Sequence, residues 1–502
     1  MRAFPATSPE ARQGKRSATG AIAAAAVGLI LIIMSVDAAL RGPWLDEFWS
    51  VELSDVGRGL LPLIRDGWLH DAHPPAFNLW VTVLSSVGVT SIPAGRLASN
   101  LPAAVLMILA ARHLSQQRPE LTGFHAAMLL LILSLAQSLE AFGNYRSYFW
   151  QIAALTTLTL VARHVASTTT DLDMRRDYKL AAIAVVATAG SIGLHYVGGL
   201  FGGLLAGIIA LCALIRGHRR WAILVLATAA AAIAFVLAMA VLQAPNWAAD
   251  FDHSWIDMDS LDALGLLLAL VVGAVCHNPV PLVGLWLRRT VGNGSDRVFV
   301  AMIGAALAGG IAIVLVINVY KPITVERYLL AVPVLVSAIM AVPAARLARE
   351  WSLFGLLALV SVVVAASPLV ASGIKPRWNE AARTIAQISA SCPTTRVYAA
   401  SGWALGPAAD TRAARREDPV FERAYKSLAD RYGYTVQFIG QTGSAHAALG
   451  PCPVLLWFEH TPNDAEDDLP SAVAAARLTG LEDARLSVIR SGTGLVVRAD
   501  RP

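Results

Sequence analysis

Between about residue 19 and residue 372 the chain is a succession of apolar runs close to twenty residues long, separated by short polar or basic stretches. A helix needs roughly 20 apolar residues to cross the ~30 Å hydrocarbon layer of a bilayer. Inside that layer every backbone N–H and C=O must be bonded internally. A chain built of such runs has few folds open to it besides a bundle of membrane-spanning helices. The candidate spans are 19–40, 96–113, 122–140, 149–165, 180–195, 198–215, 221–242, 261–287, 298–319, 327–347 and 352–372, about eleven. The 261–287 run contains Pro279 and Pro281, which predicts a break within it.

Charge is scarce, at 15% of residues, where a soluble domain carries roughly a quarter. The deficit stops near Gly373-Ile374-Lys375-Pro376, and residues 373–502 have ordinary soluble composition. The expected fold class is therefore mostly α, with three parts. A cytoplasmic N-terminal tail occupies 1–18. A polytopic transmembrane domain follows over 19–372, with an outer loop at 41–95. A small extracytoplasmic α/β domain occupies 373–502. The first run, from Ala21 to Leu40, reads as an uncleaved span rather than a signal peptide, because it is long and lacks a clear cleavage site. The net charge of +5 is spread in short clusters, with no basic stripe interleaved with aromatics, so nucleic acid is excluded as a partner.

Orientation follows from the Lys/Arg bias of the loops. With Arg12, Lys15 and Arg16 in the cytoplasm, alternation places the dense clusters at Arg112 and Arg118, at Arg163 to Lys179, at Arg216 to Arg220, at Arg288 to Arg297 and at Arg346 and Arg349 inside. This parity requires 74–91 to be an interfacial helix, since its apolar run is short for a span. The C-terminal domain then lies outside the cytoplasm. The expected location is a bacterial inner membrane, crossed many times, with this domain on the periplasmic side.

Under that parity several ionisable groups gather on one face. The first outer loop carries the adjacent acids Asp46 and Glu47 between Trp44 and Trp49, then Asp66, His70, Asp71, His73, Pro74 and Pro75. Carboxylates kept at membrane depth cost roughly 2.5–3.5 kcal/mol at a helix centre and less near an interface. A pair held there suggests a base or a substrate contact. The second outer loop reads Glu140-Ala141-Phe142-Gly143-Asn144-Tyr145-Arg146-Ser147-Tyr148. Arg146 there is either a phosphate ligand or the partner of Glu140. His195-Tyr196 forms the third outer turn. Lys321, Glu326, Arg327 and Tyr328 sit at the last one, where cations run against the positive-inside trend and read as anion ligands or as snorkelling anchors. The acid-rich 244–260 loop is compatible with a divalent metal, yet it shows no metal-ligand spacing. No metal site and no cofactor follow from the sequence.

The ordered set of Trp44-Leu45-Asp46-Glu47, His73-Pro74-Pro75, Arg96-Leu97-Ala98-Ser99-Asn100-Leu101-Pro102, Tyr145-Arg146-Ser147-Tyr148, His195-Tyr196 and Glu326-Arg327-Tyr328-Leu329-Leu330 resembles the GT-C superfamily of glycosyltransferases. It is most similar to bacterial family 39-like and aminoarabinose-transferase-like members. The resemblance covers most of 19–345. It implies a polyprenyl-phosphate-linked sugar donor and transfer at the outer face. The acceptor implied is a glycan, a lipid or a protein. It makes Asp46 the base, with Glu47 its catalytic neighbour, and puts Arg146, Lys321 and Arg327 near the donor phosphate. His73, Tyr145, Tyr148, His195, Tyr196, Glu326 and Tyr328 become substrate contacts. The chain departs from the pattern at Asn144-Tyr145, where relatives carry an acidic residue.

Within the C-terminal domain strand-like runs at 396–400, 435–439, 454–459, 485–490 and 494–498 alternate with helical patterns at 378–391, 421–431 and 470–478. Cys392 and Cys452 each precede a strand and are expected to form a disulfide if those strands are neighbours. Two other classes are weighed. A transporter or flippase would place its ionisable groups near the midplane and show repeated halves, whereas here they cluster at one face. A polysaccharide polymerase or ligase would lack an Asp-Glu pair directly after the first span.

Overall fold

The computed structural model describes residues 9–168, 177–251, 258–287, 294–348, 350–370, 378–400, 419–439, 449–459, 480–481, 483–491 and 494–502. The chain folds into two compact units. The first comprises Met1–Ala39 and Leu53–Ser372, and the second Leu40–Glu52 with Gly373–Pro502. The stretch expected as one outer loop is therefore split, and its Asp46-Glu47 end belongs with the C-terminal unit.

The first unit is helical. Helix α1 spans Pro9–Leu40, α3 is the single turn Leu60–Pro62, α4 is Ala76–Ser86 and α5 is Ile92–Gln117. Then come α6 (Thr122–Leu133), α7 (Ala136–Phe142), α8 (Tyr148–Ser167), α9 (Tyr178–Gly193), α10 (Tyr196–Ile215) and α11 (Arg219–Phe251). The unit closes with α12 (Ser260–Cys276), α13 (Val280–Leu287), α14 (Gly294–Tyr320), α15 (Ala331–Leu347) and α16 (Trp351–Val370).

Every one of the eleven apolar segments is helical, but not every helix is a full span by itself. Among the described residues five helices are long and apolar enough to cross a membrane, and a sixth is added if the bent α6–α7 pair is one span. Several others, including α9, α12 and α15, are apolar but 10–17 residues long. The 20-residue α8 carries Arg163 and His164 and lies buried within the bundle. Helix α15 is likewise enclosed almost throughout, so it meets protein rather than lipid. Helix α4 has 11 residues, about 16 Å at 1.5 Å per residue, too short to cross.

Two segments break. The turn at 277–279 separates α12 from α13, as Pro279 and Pro281 predict. Side chains of the break meet its opened backbone, His277 Nδ1 lying 2.7 Å from the Ala274 carbonyl and Asn278 Oδ1 accepting from the Val280 N–H at 3.2 Å, while Asn278 Nδ2 donates to Ser361 Oγ at 2.9 Å. The α6–α7 break has no proline. Leu135 takes an extended conformation (ψ 137°), and the helices on either side meet at 70°.

Small residues let helices approach closely. A Cβ on Gly199 would come within 2.6 Å of the Ile192 carbonyl, and one on Gly202 within 2.6 Å of the Ser191 carbonyl. The bare backbone of α10 thus lies against that of α9, the usual packing device in a membrane bundle.

The second unit holds α2 (Leu45–Glu52), α17 (Trp378–Ser391), α18 (Pro419–Tyr432) and strands β1 (Arg396–Ala400), β2 (Val436–Ile439), β3 (Val454–Phe458), β4 (Arg485–Ser491) and β5 (Gly494–Asp500). The sheet order is β2-β1-β3-β5-β4. Strand β1 is parallel to both β2 and β3, and β5 is antiparallel to β3 and β4. Because β1 and β3 pair, Cys392 and Cys452 fall side by side ahead of them. They form a disulfide with Cα atoms 5.6 Å apart. The fully buried β3 reads Val-Leu-Leu-Trp-Phe, as a central strand covered on both faces should. The helical pattern expected at 470–478 lies outside the described residues.

Candidate active site

Four polar segments distant in sequence converge at one end of the helical unit. They are the stretch before α4, the 143–147 loop, the turn ahead of α10 and the turn between α14 and α15. Pro74 and Pro75 end the first of these and open α4, whose first turn presents Asn78. Asn78 Nδ2 donates to Asp71 Oδ2 at 2.8 Å. The other oxygen, Oδ1, lies 3.3 Å from His73 Nδ1 and 3.8 Å from Arg146 Nη2. All four side chains are buried. Burial alone would raise the Asp71 pKa, but the Arg146 guanidinium, the His73 contact and the Asn78 amide outweigh it and hold the carboxyl well below its usual range.

Arg146 Nη2 also lies 3.0 Å from His73 Nδ1. The tautomer of His73 sets which contact is a hydrogen bond: a bare Nδ1 accepts from the guanidinium, and a protonated Nδ1 donates to Asp71 Oδ1. The 143–147 loop that delivers Arg146 is tied to α5. Asn100 Nδ2 donates to the carbonyls of Phe142 (2.8 Å) and Asn144 (3.0 Å), and Trp150 Nε1 donates to Ser99 Oγ (3.1 Å). Arg96 is fully buried one turn earlier, with Nη1 on the Ala38 carbonyl at 2.9 Å. The Arg96-to-Asn100 motif therefore acts as a brace. Tyr145 also packs as structure, its ring edge-on to Phe77 and close over Gly95.

His195 caps α10, its Nδ1 accepting from the Gly198 N–H at 3.3 Å. That bond places its proton on Nε2, and Nε2 is buried with no hydrogen-bond partner among the described residues. Burial pushes the imidazole pKa well below its ordinary value, and His73, Arg146 and Arg327 push the same way against Asp71. The His195 ring centre lies 5.0 Å from His73, 4.9 Å from Tyr328 and 5.9 Å from Tyr148. Tyr196 acts indirectly. Its hydroxyl donates to Gln243 Oε1, and Gln243 Nε2 donates to the carbonyls of Trp68 and His73.

The last turn is shaped by Asn318, whose Oδ1 accepts from the backbone of Ile323 and Thr324 and from the Thr324 hydroxyl. It sets up the short turn Glu326–Tyr328. Glu326 accepts from Gln137 Nε2 at 3.3 Å, and the Arg327 guanidinium carbon lies 5.6 Å from the Tyr328 ring centre. Lys321 is exposed where the turn begins. The enclosure is rich in N–H donors, with Asp71 the acid at its heart, and such a lining suits a tetrahedral oxyanion.

The predicted catalytic pair lies in the other unit. Asp46 and Glu47 form the first turn of α2. Glu47 is fully buried, and its Oε2 accepts from the Trp44 N–H at 3.2 Å, the backward half of a capping box. At the far end of α2, Glu52 pairs with Arg423 Nε at 2.8 Å. Phe48 lies 5.8 Å from Trp378 in the same unit. The sequence does not single out Asp71, Asn78, Gln243 or Asn318 as site or bracing residues. For Asp71 and Asn78 a signal existed in Asp71-x-His73-Pro74-Pro75 followed by a polar residue in the first helical turn. Among the described residues no three His, Cys, Asp or Glu side chains are grouped to hold a metal. Asp252, His253 and Asp257 of the 244–260 loop lie outside those residues.

No family model matches the sequence, and no curated protein matches it. Solved structures do. The apo crystal structure of ArnT from Cupriavidus metallidurans aligns with a TM-score of 0.52 over 95% of this chain and 97% of that one, at 12% identity. The chain shares the fold of that ArnT. A second ArnT structure from the same organism, bound to undecaprenyl phosphate, aligns with a TM-score of 0.50 at the same identity and coverage. At this identity the likeness establishes fold alone. It agrees with the polytopic helical domain and small C-terminal sheet expected of the sequence.

Proposed function

We propose that this protein is a membrane glycosyltransferase that moves a sugar from a polyprenyl-phosphate donor to an acceptor at the outer face of a bacterial inner membrane. The observation that carries the reading is the buried convergence of Asp71, His73, Arg146 and His195 at the end of the bundle that also bears Arg327. Support comes from the fold shared with an ArnT that binds undecaprenyl phosphate. The positive-inside assignment of the loops puts this end outside.

In this reading the acceptor hydroxyl attacks the anomeric carbon. The bond from that carbon to the phosphate oxygen breaks, and polyprenyl phosphate departs with the electron pair. Arg146 and Arg327 stabilise the negative charge that grows on the phosphate, with Lys321 at the mouth. Asp71 holds Arg146 in place. Asp46 takes the proton of the acceptor hydroxyl, and Glu47 fixes the helix turn that presents it. A single displacement inverts the anomeric centre. The acceptor is a glycan, a lipid or a protein.

The test is transfer by the full-length protein in lipid nanodiscs, using a polyprenyl-phosphate sugar. Asp46→Asn removes the base and leaves donor binding intact. Arg146→Gln weakens donor binding and lowers turnover roughly 100-fold or more, the scale seen when one oxyanion donor is lost. Unchanged turnover in Asp46→Asn removes that residue from the mechanism. An anomeric NMR spectrum showing retention excludes the single displacement.

A further inference from the structure

His195 lies among the residues of the site without a step of its own in the transfer. A histidine beside acids and cations is usually read as a proton carrier. The contacts of this one point to another role. It is the N-cap of α10, and its Nδ1 accepts from the Gly198 N–H at 3.3 Å. A backbone N–H only donates, so Nδ1 is bare and a neutral ring keeps its proton on Nε2. Nε2 lies across the ring from Nδ1, so its N–H faces away from Gly198. Nε2 is buried with no hydrogen-bond partner among the described residues, in a residue only 4% exposed.

Three rings surround the imidazole. The ring centres of His73, Tyr148 and Tyr328 lie 5.0, 5.9 and 4.9 Å from its own, and His73 is 6.0 Å from both tyrosines. Two of these rings touch the cations of the site. Arg146 Nη2 lies 3.0 Å from His73 Nδ1, and the Arg327 guanidinium carbon lies 5.6 Å from the Tyr328 ring centre. With His73, Arg146 and Arg327 so near, burial and like charge oppose a further positive charge on His195, and Asp71 acts the other way. The ring is also held from behind. Gln151 of α8 donates to the Ser191 carbonyl at 2.8 Å, and a Cβ on Gly198 would come within 2.8 Å of its amide nitrogen. A fixed, buried N–H is a costly arrangement unless an acceptor fills it.

We propose that His195 is a neutral hydrogen-bond donor to a phosphate oxygen of the polyprenyl-phosphate donor, and that it carries no proton to or from the reacting groups. This rests on the transferase reading and adds a third donor group beside Arg146 and Arg327. As the bond from the anomeric carbon to the phosphate oxygen breaks, negative charge grows on the phosphate and the hydrogen bond from Nε2 strengthens. The proton stays on Nε2, and the acceptor hydroxyl gives its own proton to Asp46.

The experiment uses the full-length protein in lipid nanodiscs and two variants. His195→Ser keeps an N-cap oxygen for Gly198 and removes the ring. His195→Gln returns an amide N–H at about the reach of Nε2. Binding of undecaprenyl phosphate, measured without any transfer, should be roughly ten-fold weaker or more in His195→Ser and largely restored in His195→Gln. In transfer assays between about pH 7 and 9 the ratio of wild-type to His195→Ser turnover should stay constant, because a neutral donor does not titrate there. A ratio that falls about ten-fold per pH unit identifies a proton carrier and overturns the proposal. Binding by His195→Ser equal to the wild type overturns it as well, with water filling the space. Equal loss in both variants marks the ring as structural and does the same. Absence of binding by the wild type refutes the transferase reading itself, and this proposal with it.

Discussion

Asp71 shows how one buried charge organises others. It is enclosed with Arg146 and His73 and receives the Asn78 amide. Removing one partner of a buried ionic group leaves the other uncompensated, typically at 3–5 kcal/mol. Asp71→Asn is therefore expected to destabilise the protein by about 3 kcal/mol and to lower donor affinity with it, read by chemical unfolding and by KM. The folded pKa of Asp71 is depressed, so its stabilisation is fully present above the unfolded value of about 4 and is lost only as pH falls well below that. His195 behaves in the opposite chemical sense. Its depressed pKa means the unfolded chain binds a proton first, so stability falls as pH drops below about 6.5. His195→Gln should flatten the acid side of the stability profile by up to one proton, about 1.4 kcal/mol per pH unit. An unchanged slope would show that His195 does not remain neutral in the fold.

Among the elements, α10 is placed by its glycines and the C-terminal sheet by its disulfide. Gly202→Val drives a branched side chain into the Ser191 carbonyl of α9. It should destabilise by about 1–3 kcal/mol and shift His195, seen as a lower melting temperature and reduced transfer. The Cys392–Cys452 bond closes a 60-residue separation. Its replacement by serines should reduce the stability of the C-terminal unit by about 2–4 kcal/mol, measured by denaturant titration. The elements themselves were legible in the sequence. Apolar run length marked the helices of the bundle, and strand-like runs between helical patterns marked all five strands, whereas α2 lay in a stretch read as loop. The α6–α7 bend was not legible, because Leu135 opens the helix without proline or glycine. Of the site, Arg146 stood out as a cation at a membrane interface between two tyrosines. Asp71 and Asn318 did not, because an Asp beside histidines and an Asn ending an apolar run look like ordinary loop and cap residues. Their meaning comes from contacts across the bundle.

At the scale of the whole molecule the helical unit separates two polar ends. One gathers Asp71, His73, Arg146, His195 and Arg327, and the other gathers Arg118, Arg163, Asp296 and Arg346. The sheet-bearing unit recruits α2, and with it the predicted base Asp46. Loop charge could foretell the two ends because both follow from helix order and alternation. It could not foretell that Leu40–Glu52 would belong with residues more than three hundred positions away, since no local pattern encodes that packing. The most direct test of sugar transfer from a polyprenyl-phosphate donor is mass spectrometry of envelope lipids and glycans from cells with and without the gene. Cells lacking it should lose one sugar-bearing species and accumulate its polyprenyl-phosphate sugar, a change reversed by the wild type and not by Asp46→Asn. Identical profiles in all the strains would contradict the proposed activity.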